Sequence, residues 1–157
     1  MPPSGTPVKE AIVADLETTL AAVAAGSDYY NTIEKVTRID AGPMNIKMFP
    51  AVIIVPLSAD YSREGDQGTL TISTEYRVQL SLFMRTRTDA VTKIEKLIRD
   101  VHKAILVDRT RGGNALNTRA LSDEVFYPTE DDEAYTSANL TIGVTFRTKN
   151  DDLNIST

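Results

Sequence analysis

The clearest pattern in the chain is the alternation from Thr69 to Met84. Leu70, Ile72, Tyr76, Val78, Leu80, Leu82 and Met84 fall on even positions, with Thr69, Thr71, Ser73, Glu75, Arg77, Gln79 and Ser81 between them. Only Thr74 and Phe83 break the pattern. Successive strand side chains point to opposite faces, so this run predicts a β-strand with one apolar and one polar face. At about 3.3 Å per residue it spans about 50 Å, whereas a domain of this length is only about 30 Å across. One end is therefore expected to bend or project. A projecting strand carries unpaired backbone groups that a second copy of the chain can satisfy.

Two helical periods flank this strand. Val8, Ile12, Leu16, Leu20 and Val23 recur every three or four residues. They predict an amphipathic helix capped by Thr6, with Pro7 in its first turn and a stop at Gly26. Val91, Ile94, Leu97, Ile98, Val101 and Ile105 predict a second helix, capped by Thr88 or Asp89. Tyr29–Asp40 is rich in β-branched residues and reads as a strand with a bulge or a first helical turn. Ala51–Leu57 is uninterruptedly apolar, as in a central strand covered on both faces, and Pro56 is expected to end its pairing. Ser58–Gly68 and Val107–Thr118 read as exposed loops, the second mobile around Gly112-Gly113. Arg119–Pro128 and Ala134–Thr148, separated by the acidic run Glu130–Glu133, predict a closing antiparallel hairpin. The fold expected is α+β: a mainly antiparallel sheet with two principal helices packed on one face.

Composition narrows the functional classes. The chain has 157 residues, the size of one domain spanning 1–157, with 1–6 and 150–157 as flexible or extended termini. A formal charge of −5 disfavours a dedicated nucleic-acid binder. There is no cysteine, which removes disulfides, thiolate metal sites and cysteine nucleophiles. The N-terminus lacks a signal-peptide pattern, and no apolar run approaches the roughly 20 residues of a membrane span. A soluble protein assembled in a cytoplasm, without a membrane partner, is expected.

No catalytic constellation stands out. His102 is the only histidine and borders the apolar stripe of the second helix, where a structural role is expected. No nucleophile elbow, dinucleotide fingerprint or phosphate loop is present. Asp123/Glu124 and Asp131/Asp132/Glu133 flank a strand turn and read as solvated acids rather than a cation site. No enzyme, cofactor or metal is expected. The arginines are the most suggestive polar feature. Arg85 and Arg87 precede the second helix, and Arg109, Arg111 and Arg119 follow it, which places one group at each end of a rod about 30 Å long. Solvation and pairing with Asp89 and Asp108 compete with a contact to phosphate or a partner.

The order of these segments resembles a known family. An amphipathic N-terminal helix leads to Phe49-Pro50-Ala51-Val52-Ile53-Ile54, then a polar loop and the alternating TISTEYRVQLSLFMRT. A helix follows, ending in the D-x-x-x-G-G loop Asp108–Gly113, and the last strand reads LTIGVTFRT. This layout, from about Thr6 to Lys149, resembles the lambda-like tail terminator and minor tail proteins of long-tailed bacteriophages. The resemblance implies a structural virion protein: a hexameric ring that caps the tail tube at the head-proximal end, stops its polymerisation and meets the head connector. It also implies transient contact with DNA passing through the ring. No catalytic residues carry over. By position, the two loops would supply ring or tube contacts, through Arg63, Glu64 and Asp66 in one and Arg109, Arg111 and Asn114 in the other, with Arg85, Arg87 and Arg119 beside them. The alternatives are another head–tail joining or tail-completion protein of similar fold, or a small α+β ligand-binding or enzymatic domain.

Overall fold

The computed structural model describes residues 5–39, 46–65, 71–86, 88–127 and 135–149, and the backbone of 152–156. Its elements run α1 (Val8–Ala21), β1 (Lys35–Arg38), β2 (Ala51–Glu64), β3 (Thr71–Arg85), α2 (Ala90–Val107), β4 (Asn117–Phe126), β5 (Tyr135–Lys149) and β6 (Asp152–Ser156). The strands form one sheet in the order β1-β2-β3-β5-β4, with β6 joined to β5. Every pairing is antiparallel except β1 with β2, so the α+β expectation holds with one parallel edge strand added.

The alternating run forms the central strand as its pattern demands. Tyr76, Val78, Leu80, Leu82 and Met84 are buried, and so are Ala138, Leu140, Ile142, Val144 and Phe146 of the other long alternating strand, β5. Val8, Ile12, Leu16 and Leu20 of α1 and Ile94, Leu97, Val101 and Ile105 of α2 close over that same face. Each such side chain contributes about 1.5–3 kcal/mol on leaving water.

Several boundaries move, each for a local reason. Pro7 sits at the N-cap of α1, where its carbonyl accepts from Ala11 N–H, and no side chain caps the helix. The helix stops at Ala21, because Val23 N–H turns back to the Leu20 carbonyl, so Val23 reaches the core from outside the helix. Asp89 occupies the N-cap position of α2 in the left-handed region (φ 54°), where its carbonyl accepts from Lys93 N–H and its side chain makes no capping bond. Of Tyr29–Ile39 only Lys35–Arg38 is strand, with no helical turn before it, and Asp40 lies outside the described residues.

The larger correction concerns β2. Pairing with β3 does not end at Pro56. It passes a bulge at Leu57 and continues from Ser58↔Arg77 to Glu64↔Thr71, so most of the expected Ser58–Gly68 loop is strand. The free backbone is consequently not mainly on β3, which is paired with β5 from Thr71 to Arg85 and with β2 from Thr71 to Phe83. It lies on β2. β1 covers β2 only from Ala51 to Ile54, and among the described residues nothing pairs with the outer side of Val55–Glu64. The closing hairpin forms as expected but begins at Asn117, and the acidic run Glu130–Glu133 lies outside the described residues.

Candidate assembly surfaces

The turn after α2 folds back into the molecule. The Asp108 carboxylate accepts from the Thr110 hydroxyl (2.6 Å) and from the N–H groups of Thr110 and Gly112 (both 2.8 Å). These bonds, the Thr110 hydroxyl first, pull its pKa down to about 2. Arg111, with φ 51°, turns inward and is fully buried. Its Nη2 donates to the carbonyls of Ile105 and Asp108, acceptors left over at the helix end. Nη1 lies 3.1 Å from Asp15 Oδ2 of α1, an ion pair without hydrogen-bond alignment. Burial pushes the Asp15 carboxyl up and the Arg111 guanidinium down, each opposed by the other's charge.

A second inward anchor lies beside α2. Asp100 is fully buried and accepts from the N–H groups of Tyr30 (3.1 Å) and Asn31 (2.8 Å) and from Asn31 Nδ2 (2.9 Å). It ties the connection after α1 to α2. The exposed Tyr30 ring stands between Lys96 and Arg99, 5.0 and 5.1 Å from its centroid.

The face of the sheet turned away from the helices carries Ala51 and Ile53, both buried, at one end and is ion-paired over the other. Asp60 Oδ2 of β2 lies 3.7 Å from Arg77 Nη2 of β3. Arg77 Nε lies 3.8 Å from Glu75 Oε1, and that oxygen accepts from Arg119 Nη2 of β4 at 3.2 Å. The row therefore crosses the sheet with alternating sign. It reaches β4 over Gly143 of β5, where an added Cβ would meet Leu121 at 3.3 Å and Glu75 at 3.5 Å. Higher up, Arg147 meets Glu64 at 2.9 Å.

The nine arginine, acid and amide positions marked in the sequence separate in this frame. Arg63 is exposed on β2, and Glu64 pairs with Arg147. Arg85 is exposed just ahead of α2, Arg109 beyond its end, and Arg119 belongs to the ionic row. Arg111 is taken up inside the chain, and Asn114 Nδ2 bonds the Arg111 carbonyl. Asp66 and Arg87 lie outside the described residues. Asp60 carries no signal in the sequence because its stretch reads as a loop, whereas the alternation puts Glu75 and Arg77 on a polar face. His102 is half-buried on α2, and among the described residues no three His, Cys, Asp or Glu side chains are grouped to hold a metal.

No family model and no curated protein matches the chain. Among solved structures it is similar to a chain of the virion of native gene transfer agent (GTA) particle, with 13% identity and a TM-score of 0.52, covering 90% of this chain and 98% of that one. At that identity the likeness shows a shared fold.

Proposed function

We propose that this chain is a structural protein of a phage-like virion, a tail terminator whose copies form a ring on the head-proximal end of the tail tube. There it halts tube polymerisation and joins the tail to the head connector. The observation that carries this reading is the fold shared, over nearly the whole of both chains, with a component of a gene transfer agent virion. The open sheet adds support. Two different edges, the outer arm of β2 (Val55–Glu64) and β4, lie on opposite sides of the sheet, which suits a head-to-tail contact that repeats and closes. The work is docking, without turnover of a substrate, and the ring's opening admits DNA in transit.

The test mixes purified chain with growing tail tubes and follows them by negative-stain microscopy and light scattering. Rings on tube ends, with tubes of bounded length, are expected. A monomer that neither caps tubes nor limits their growth overturns the reading. Tubes of normal length that fail to join heads when the chain is withheld would reassign it to a joining role.

A further inference from the structure

The ionic row on the open face has unlike ends. Asp60 ends it on the outer arm of β2 with its side chain 71% exposed, and Arg119 ends it on β4, 57% exposed; among the described residues no strand pairs with the outer side of either stretch. The row is negative on one flank of the molecule and positive on the other. Successive copies placed head to tail would bring the positive end of one to the negative end of the next. We propose, resting on the ring reading above, that β4 of each copy pairs antiparallel with β2 of its neighbour, Arg119 lying opposite Asp60.

Direction, face and level agree with this pairing. Three antiparallel steps separate β2 from β4, so their edges run in opposite directions when copies stand side by side. Past its bulge, β2 places Ala59 and Tyr61 on the helix-covered face, opposite Tyr76 and Thr74, and leaves Asp60 and Ser62 on the open face. Ahead of its own bulge, β4 places Thr118 and Ala120 on the helix-covered face, opposite Val144 and Ile142, and leaves Asn117 and Arg119 on the open one. A sheet continuous across copies must keep these faces aligned, which permits only every second register. Asp60↔Arg119 is such a register, and it sets Ser62 opposite Asn117. A shift of two residues either way puts Arg119 beside Ser58 or Ser62 and separates the charges.

Within one copy, Asp60 is level with Asn117 through Glu75 and Thr145. The register thus offsets neighbours by two residues, about 7 Å, a stagger that tilted strands absorb in a closed ring. It also brings the bulges at Leu57 and Leu121 to within one residue of each other. Bulges bend strands away from their partners, and below that level β1 already occupies the edge of β2.

The chain has no cysteine, so cross-linking reads this contact directly. Antiparallel neighbours stand about 4.5–5.5 Å apart at Cα, within the span of a disulfide. Oxidising assembled Ser62→Cys/Asn117→Cys protein should give a ladder of covalent oligomers ending at the ring size, and neither single variant should give it. Asp60→Arg, with its fold checked by thermal unfolding, should lower ring formation about tenfold or more, because it sets like charges opposite each other. Rings that form on tube ends without the ladder, or that tolerate Asp60→Arg, overturn the pairing and leave the ring reading standing. A native chain that forms no rings even on tube ends removes both.

Discussion

The turn between α2 and β4 and the outer arm of β2 are two polar stretches of similar length, and they end in opposite states. The first closes on itself. Asp108 finds three donors within four residues, and Arg111 finds the carbonyls of Ile105 and Asp108 together with the charge of Asp15. The second has no such set of partners and satisfies its backbone by lying along β3, which leaves its other side open. Polarity in a sequence therefore does not distinguish groups that are consumed internally from groups that are presented. The distinction lies in whether complementary donors and acceptors fall within reach of one turn.

The contrast is tested most severely at Arg111. Arg111→Met should destabilise the chain by about 3–5 kcal/mol, since it strands the Asp15 charge and unpairs two helix-end carbonyls. The loss should appear as a lower urea midpoint at unchanged slope, and a loss below about 1 kcal/mol would place the turn among the presented surfaces. Asp100→Ala should cost about 2–4 kcal/mol by leaving the Tyr30 and Asn31 donors without their acceptor. Because Asp100 joins two elements, hydrogen exchange should rise in both the Tyr30–Asn31 backbone and α2.

Acid should separate the two carboxylates that meet at Arg111, Asp108 in the turn and Asp15 on α1. Asp108 has a folded-state pKa of about 2, below its ordinary value of 3.8. Its stabilising contribution is therefore complete above about 4 and is lost as pH falls toward 2. Asp15 is shifted the other way, so its contribution is complete below 3.8 and is lost as pH rises through its elevated pKa. On acidification, Asp15 protonation first favours the folded state, and Asp108 protonation then opposes it. Asp15→Asn should remove the upper limb of a stability-against-pH curve, and Asp108→Asn the lower one. Curves that keep both limbs in both variants would break the assignment.

Much of the frame is legible in the residue pattern alone. Alternation marks β3 and β5, and three- and four-residue spacing marks both helices, because burial on one side imposes those periods. What the pattern hides is pairing. Ser58–Glu64 offers only Ala59 and Tyr61 as alternating apolar positions and reads as a loop, yet it becomes strand because β3 offers it an edge. Lys35–Arg38, expected as strand within Tyr29–Asp40, pairs parallel along the free side of Ala51–Ile54, a partner its own residues do not name. Arg111 is the sharpest case for the candidate surfaces. Its glycine-rich, arginine-rich setting suggests exposure, and only the positions of Asp15 and the end of α2 turn it inward. The arginine that does face outward in an ordered row, Arg119, depends on Gly143 and Glu75 from two other strands, a convergence that no local spacing encodes.

Arg119 therefore supplies the smallest expected effect on folding and the counterpart to Arg111. Arg119→Gln removes one contact at 3.2 Å between half-exposed groups, and Glu75 keeps Arg77 nearby. Exposed pairs of this kind are worth about 0–1 kcal/mol, so the urea midpoint of the monomer should scarcely move. Assembly should respond differently, because the same guanidinium is the positive end of the row at the β4 edge. Measured side by side, Arg111→Met should lower stability at any protein concentration, whereas Arg119→Gln should leave stability intact and weaken ring formation, more so at low salt. A large stability loss in Arg119→Gln would mean that the row braces the sheet internally, and the division between consumed and presented charge would then fail on the open face.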